Sequence, residues 1–393
     1  MVAANIDFDS HRQYCVFMHR LFASLLLLSA CSSSTPTPPE ESTQRATVLQ
    51  NVAHCIEAEL AAFTIKTEAL VVALEQADPS AAQAAFRAAM EAWEVLEALQ
   101  VGPAAPTLAP GGDGLRDGIY AWPLVTRCAL EETLVAKSWE SGTQRLLVNR
   151  KTLAALDYLL FSTATDTACP ASSTIVSSGS WAALSAQDLA TRRRDYARAI
   201  ATEVHSSAVT LAGKWTGGFT STLSTPGSQN RTFMSQRAAL NAVSDALFFL
   251  DGPVKDAKLA APLGLTMASC AMPPCLESLE FQHTDLNTVA LRSNIRGFSK
   301  LMHGCDEGVT GKGFDSLLIA ADATALEEQM RTELAALRTH ADEAAELRVM
   351  LNDDPAAARR LYDEVKDVTD LLKTQFIGVL DLEIPTSLEG DND

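Results

Sequence analysis

The chain has 393 residues, of which 47% are apolar, and its formal net charge at pH 7 is −18. A chain this acidic is a poor candidate for binding nucleic acid. Its one basic triplet, 192–194, lies in a helical pattern typical of a solvated helix face. Beyond the first 31 residues no apolar run approaches the roughly 20 residues of a membrane span.

The first residues have the pattern of a secretory signal. A short basic region at 18–20 precedes an apolar run at 21–28, which is too short to span a membrane. Residues 1–17 contain acidic side chains and delay the basic region. We therefore predict that translation starts at Met18 and that residues 1–30 form the signal peptide.

The apolar run ends in Leu28-Ser29-Ala30-Cys31, which looks like the lipobox where a bacterial lipoprotein signal is cut and the Cys is lipidated. An ordinary signal peptide with a coincidental Cys is the alternative. Acyl chains on Cys31 would hold the folded part at a membrane surface. Because Ser32 rather than Asp follows Cys31, we predict an outer-membrane lipoprotein, on the periplasmic side or at the cell surface.

Helical spacing of apolar residues dominates the chain after a Ser/Thr/Pro-rich segment, 31–45, which is predicted to be a disordered tether. Strand-like alternation is scarce. Helices are expected over 46–77, 79–100, 151–161, 181–215, 231–250, 284–303, 322–349 and 355–377, with shorter pieces in 115–145 and loops at 102–114, 162–179 and 217–230. The predicted fold class is all-α, with two antiparallel helical bundles over 46–220 and 231–385.

Cysteine usage agrees with export. Apart from Cys15 and Cys31, six of the eight cysteines remain, and six allow fifteen disulfide connectivities. Cys270 and Cys275 are close enough for a local bridge, and elimination alone suggests the pairs Cys128–Cys169 and Cys55–Cys305. A Cys-rich metal site is the alternative, but the paired C-x-x-C spacing typical of such sites is missing.

A single carboxylate stands on an apolar helix face in the stretch KTLAALDYLLF, residues 151–161. Asp157 shares that face with Leu153 and Leu160 at helical spacing. Since an unpaired charge there is costly, either a partner within the protein or a ligand must satisfy it. Lys258 is a candidate for the partner charge.

Several segments together resemble the imelysin-like family, also called peptidase family M75. They are Asp117–Pro123 (DGIYAWP), Leu153–Phe161, Val254–Gly264, Glu280–His283 and Leu291–Phe298. The resemblance covers roughly residues 46–380 and rests on the order and spacing of these segments. It implies two α-helical bundles with a shared site at their junction, a periplasmic or surface location and an association with iron uptake.

The family signature is a G-x-H-x-x-E helix segment, which is degenerate here. Its Glu position is Asp157, its His position is Ala154 and its Gly position is Thr152. A metal site needs several imidazole or carboxylate ligands, so these replacements weaken the inherited metal or peptidase role. An H-E-x-x-H motif is missing too, and Glu280-x-x-His283, at the spacing of di-iron bundles, supplies the candidate metal ligands.

Trp122 and Asn294 complete the candidates, although each also suits a structural role, as a core ring and as a helix-packing amide. The predicted ligand-binding residues are Asp157, Trp122, Lys258, Glu280, His283 and Asn294, with iron or another divalent metal as the candidate cofactor.

The predicted function is a non-catalytic, ligand- or metal-binding lipoprotein associated with iron uptake. Its expected partners are the membrane, through Cys31, and a metal ion or a component of iron uptake. An M75-type metallopeptidase and a structural or partner-docking lipoprotein are the alternatives.

Overall fold

Helices alone form the regular structure of residues 39–76, 78–266, 270–305 and 312–385, which the computed structural model describes. The predicted all-α class is confirmed. None of the described helices is both long and apolar enough to cross a bilayer. The predicted signal peptide and Cys31 lie outside the described residues.

The helices are numbered in chain order. They are α1 Pro39–Glu75, α2 Pro79–Glu97, α3 Arg116–Ile119, α4 Arg127–Ala136, α5 Leu153–Phe161, α6 Thr174–Ser177, α7 Ala186–Lys214, α8 Thr220–Ser224, α9 Gln236–Leu247, α10 Ala261–Leu263, α11 Asn287–His303, α12 Phe314–Ala320, α13 Thr324–Glu343, α14 Leu347–Asp353, α15 Pro355–Leu371 and α16 Ile377–Val379. Segments with π-helical hydrogen bonds are Trp215–Phe219, Leu250–Ala260 and Leu372–Phe376.

The first helix starts earlier than the sequence suggests. Residues 39–45, assigned above to the disordered tether, form the first turns of α1. The sequence misleads because Pro and Ser are typical of tethers, yet a Pro in the first helical turn is tolerated. An ion pair at i,i+4, Arg45 to Glu41 at 2.6 Å, supports these turns.

Helix α1 lies against helices from both halves of the sequence. It packs along α2 and α7, and it also contacts α8, α9 and α12. Its buried face carries Val48, Val52, Ile56, Leu60 and Phe63 at helical spacing. Helix α1 thus contacts helices of both predicted bundles. The division into bundles at 46–220 and 231–385 stays a prediction.

Helix boundaries differ from the expected ones at two places and agree at a third. The expected loop 217–230 contains the short helix α8. The expected helix 322–349 is interrupted between α13 and α14, where Ala344 and Glu346 adopt extended ψ angles near 140° and 136°. Helix α2 begins as its Asp-Pro pair indicates, with the Asp78 carboxylate accepting from the N–H groups of Ser80 and Ala81.

The segment Leu250–Ala260 has no counterpart among the expected helices. Pro253, near the start of the segment, indicates a helix break when only the sequence is considered. The chain nevertheless continues as a π-helix, on which α15 packs. π-Helical turns are rare and are frequent at functional sites.

Three disulfides join the six cysteines in the pairs suggested above. Cys55–Cys305, Cys128–Cys169 and Cys270–Cys275 span 250, 41 and 5 residues of sequence. The first bond ties α1 to the residues that follow α11.

Helices α2 and α11 approach each other closely at Gly297. A Cβ atom on Gly297 would lie 2.4 Å from the carbonyl oxygen of Val95 and 2.7 Å from the Cβ of Ala98. Only a residue without a side chain fits there, so Gly297 sets the distance between the two helices.

We expect Gly297→Ala to lower the free energy of unfolding by about 2 kcal/mol, because the methyl group must push α11 away from α2. Gly213→Ala in α7 is the matched control, since nothing lies within 4 Å of its Cβ position, and it should be neutral or slightly stabilising. Urea denaturation followed by circular dichroism measures both. Equal effects of the two substitutions would contradict the close approach.

Candidate functional site

A buried lysine lies where α2, α11 and the π-helical segment meet. The Lys258 ammonium donates hydrogen bonds to Glu94 Oε2 at 2.6 Å, to Glu97 Oε2 at 3.1 Å and to Asn294 Oδ1 at 2.9 Å. Its fourth neighbour is Glu280 Oε2, an ion-pair contact at 2.9 Å. The three ammonium hydrogens are thus all used, and Glu280 contributes charge.

Three of the candidates from the sequence therefore meet at one point: Lys258, Glu280 and Asn294. Two carboxylates of α2 join them, and Glu94, Glu97 and Glu280 are called the carboxylate cluster below. The side chains of Glu94 and Glu97 are each 1% exposed. Burial of this much charge is tolerable only because the partners are inside the protein.

A second layer of polar groups completes the site. Arg116 donates to Glu97 Oε1 at 2.8 Å, and the Tyr120 hydroxyl donates to Glu280 Oε1 at 2.6 Å. The Asn294 amide donates to the Glu94 carbonyl at 2.7 Å and to Glu94 Oε2 at 3.1 Å. Both oxygens of Glu97 thereby accept from cations, whereas Glu94 Oε1 has no hydrogen-bond partner.

The pKa values of the two α2 glutamates are shifted in opposite directions. Burial, followed by the negative charge of Glu280, raises the pKa of Glu94 well above its usual value. Burial alone would raise the pKa of Glu97 too, but Lys258 and Arg116 outweigh it and lower that pKa. Glu97 is therefore the ionised centre of the site, while Glu94 is the carboxylate that takes up a proton most readily.

A cleft of about 360 Å³ opens above Lys258 and is called the junction cleft. It is lined by Glu97, Arg116, Trp122, Pro123, Phe249, Gly252, Pro253, Ala257 and Lys258. The ring centroids of Trp122 and Phe249 lie 5.9 Å and 5.8 Å from the Lys258 nitrogen, within cation–π range. The cleft thus has aromatic walls and a charged floor.

Five residues that the site depends on were missed by the sequence reading: Glu94, Glu97, Arg116, Tyr120 and Phe249. A signal for the first two was available. Trp93, Val95 and Leu96 are buried around them, so two acids one turn apart inside an apolar helix indicate a buried polar site. Tyr120 lies within the DGIYAWP segment, where only the Trp was singled out.

Asp157 is buried beside the site, and its partner lies within the protein. Its Oδ2 accepts from the backbone N–H groups of Gln282 at 3.0 Å and His283 at 3.1 Å. It therefore holds the Glu280 loop, residues 279–284, rather than pairing with Lys258. Burial raises the pKa of Asp157 to about 6, although the Thr284 hydroxyl and the two N–H groups oppose this.

Thr152, at the Gly position of the degenerate motif, has a structural role as well. Thr152 has φ +80° and ψ 172°, a region favoured by glycine, as the family pattern has at this position. Its hydroxyl accepts from the Ala121 N–H at 3.2 Å. His283 lies with its ring centroid 5.5 Å from that of Tyr158. The start of α5 is thus tied to the DGIYAWP segment.

The metal that the family resemblance implies does not fit the residues present. Among the described residues, two groups of three candidate ligands converge: the carboxylate cluster, and Cys128 with Glu132 and Cys169. The cysteines of the second group are bonded to each other. The first group encloses the Lys258 ammonium, and neither Asp157 nor His283 belongs to either.

A family model matches most of the chain. The model of the imelysin family, peptidase M75, matches residues 49–375. The chain belongs to the imelysin family. The resemblance inferred from the sequence is confirmed. No curated protein matches the chain by sequence.

Two solved structures share the imelysin fold. An imelysin-like protein from Psychrobacter arcticum 273-4 matches with a TM-score of 0.62 and 16% identity, over 87% of this chain and 97% of that one. A protein described as an iron-regulated protein A precursor from Parabacteroides distasonis ATCC 8503 matches with a TM-score of 0.64 and 15% identity, over 89% and 96%. At such identities the likeness shows the fold alone.

The two glutamates of α2 should respond differently to loss of charge. In Glu94→Gln the new amide can take the position of the unpartnered Oε1, so we expect a cost of about 1 kcal/mol or less. In Glu97→Gln the amide must face Arg116 or Lys258, and the cost should be about 3 kcal/mol. Urea denaturation at pH 7 measures both. A larger cost for Glu94→Gln would contradict the assignment of charge in the cluster.

Asp157 should give the protein a measurable pH dependence. A pKa of about 6 against an ordinary 3.8 means that the folded state holds this proton more tightly. Protonation of Asp157 therefore adds to the free energy of unfolding below about pH 4. This contribution falls by about 3 kcal/mol as the pH rises through 6. The difference in unfolding free energy between the native chain and Asp157→Asn should show this slope. A pH-independent difference would show that burial does not perturb Asp157.

Proposed function

We propose that this imelysin-family protein is a non-catalytic, ligand-binding lipoprotein associated with iron uptake, anchored through Cys31 in the outer membrane. Its ligand lies in the junction cleft. The supporting observation is the aromatic-walled cleft placed directly over a buried charged floor. The link to iron is supported by the shared fold with the protein described as an iron-regulated protein A precursor.

The cleft favours an organic ligand over a bare ion. Its volume of about 360 Å³ lies within the range of about 300–1,000 Å³ of small-molecule sites. Trp122 and Phe249 offer surfaces for a flat ring. Because the hydrogens of Lys258 are all used, the Arg116 side chain, 23% exposed, is the cation that can donate to a bound anion. A ferric chelate with aromatic, anionic donor groups meets these requirements.

The chemistry of the donor set supports a non-catalytic role. A metallopeptidase needs a metal with an open coordination position and a base beside it. Here the carboxylate cluster is engaged by Lys258, and Asp157 is engaged by backbone amides. These contacts leave the cleft with groups that bind and orient a ligand.

Calorimetric titration of the mature chain tests the proposal, with the ferric complex of 2,3-dihydroxybenzoate as the probe. Ferric, ferrous, zinc and copper salts are run beside it. We expect the chelate to bind and Trp122→Ala and Phe249→Ala to weaken binding at least tenfold, since each removes a wall of the cleft. Leu124→Ala is the matched control, because Leu124 is 57% exposed and lies outside the cleft lining.

Other outcomes would favour the alternatives. Cleavage of a peptide substrate that a chelator abolishes would identify a metallopeptidase. Binding of no probe at all would favour a structural or partner-docking lipoprotein.

A further inference from the structure

We propose that the Lys258 ammonium takes the place of a divalent cation in the carboxylate cluster, so that the native protein excludes metal ions from this position. The inference concerns the cluster beneath the junction cleft and does not depend on which ligand the cleft binds.

The donor set around Lys258 is one that a hard cation would use. Glu94, Glu97 and Glu280 each place an oxygen at 2.6, 3.1 and 2.9 Å from the nitrogen. The amide oxygen of Asn294 is a fourth, at 2.9 Å. Carboxylate and amide oxygens are the ligands of Ca²⁺, Mg²⁺ and Mn²⁺, whose bonds are about 2.0–2.6 Å long. The observed distances are those of N–H···O contacts, so the cluster is spaced for an ammonium group.

The net charge of the cluster also suits a divalent cation. Three carboxylates face two cations, Lys258 and Arg116, which leaves one negative charge in excess. A divalent ion in place of the ammonium would, together with Arg116, balance the three carboxylates. With lysine in place, balance requires one further proton on a carboxylate. Lysine and a proton together thus replace a dication.

Lys258 also limits access to part of the cluster. It lines the junction cleft beside Glu97, whereas Glu94 and Glu280 are buried and do not line the cleft. Shortening Lys258 would therefore open these two carboxylates to the cleft and leave the position of the ammonium free for an ion.

The test measures Mn²⁺ binding by electron paramagnetic resonance, which distinguishes free from bound ion. The native chain should bind Mn²⁺ only weakly, through its acidic surface. Lys258→Ala should gain one site per chain that is at least 100-fold tighter, and Mn²⁺ should raise its melting temperature. Lys258→Ala with Glu94→Gln and Glu97→Gln is the matched control and should lose that site. Lys258→Gln replaces Lys258→Ala in the comparison if the latter does not fold.

Two outcomes would overturn the proposal. One is a tight Mn²⁺ site in the native chain that disappears in Glu94→Gln/Glu97→Gln, because the metal would then bind with Lys258 present. The other is a folded Lys258 variant that gains no site. Binding of the ferric chelate to the native cleft is a separate measurement, so failure of one proposal leaves the other standing.

Discussion

One ammonium group connects helix α2 with three segments of the second half of the chain. Lys258, on the π-helical segment, binds Glu94 and Glu97 of α2, Asn294 of α11 and Glu280 of the loop before α11. A buried ion pair adds little net stability, because desolvation of the charges offsets their attraction. Any other arrangement of these segments, however, would leave a charge buried without a partner. The network therefore specifies how the helices meet more than it strengthens the fold.

The degenerate family motif retains a role in this arrangement. Asp157 accepts from the amides that follow Glu280, and Thr152 accepts from the amide of Ala121, one residue before Trp122. Helix α5 and the residue before it thus hold both the loop that brings Glu280 to Lys258 and the loop that brings Trp122 to the junction cleft. A shorter acid and the loss of an imidazole are compatible with that positioning role, because only hydrogen-bond acceptors are required.

Much of the fold and half of the site could be predicted from the sequence. The helices have clear apolar periodicity, and Lys258, Glu280 and Asn294 stand out as polar residues in apolar or family-like segments. Glu94 and Glu97 were missed because acids on a helix are normally solvated, although their spacing among buried apolar residues of α2 carried a signal. The π-helical segment escaped prediction because Pro253 indicates a break when tertiary contacts are ignored. Side-chain periodicity reports which face is apolar, but not what covers it.

The length and position of α1 constrain the order in which the molecule can assemble. This helix has 37 residues and so is about 55 Å long. Its neighbours include α2, which follows at once, and α12, which ends at Ala320. Part of the apolar surface of α1 therefore stays uncovered until the residues of α12 have been synthesised, and surface exposed in this way invites association with other chains. Shielding of this surface, by a chaperone or by delayed compaction, would protect the nascent chain until its second half arrives.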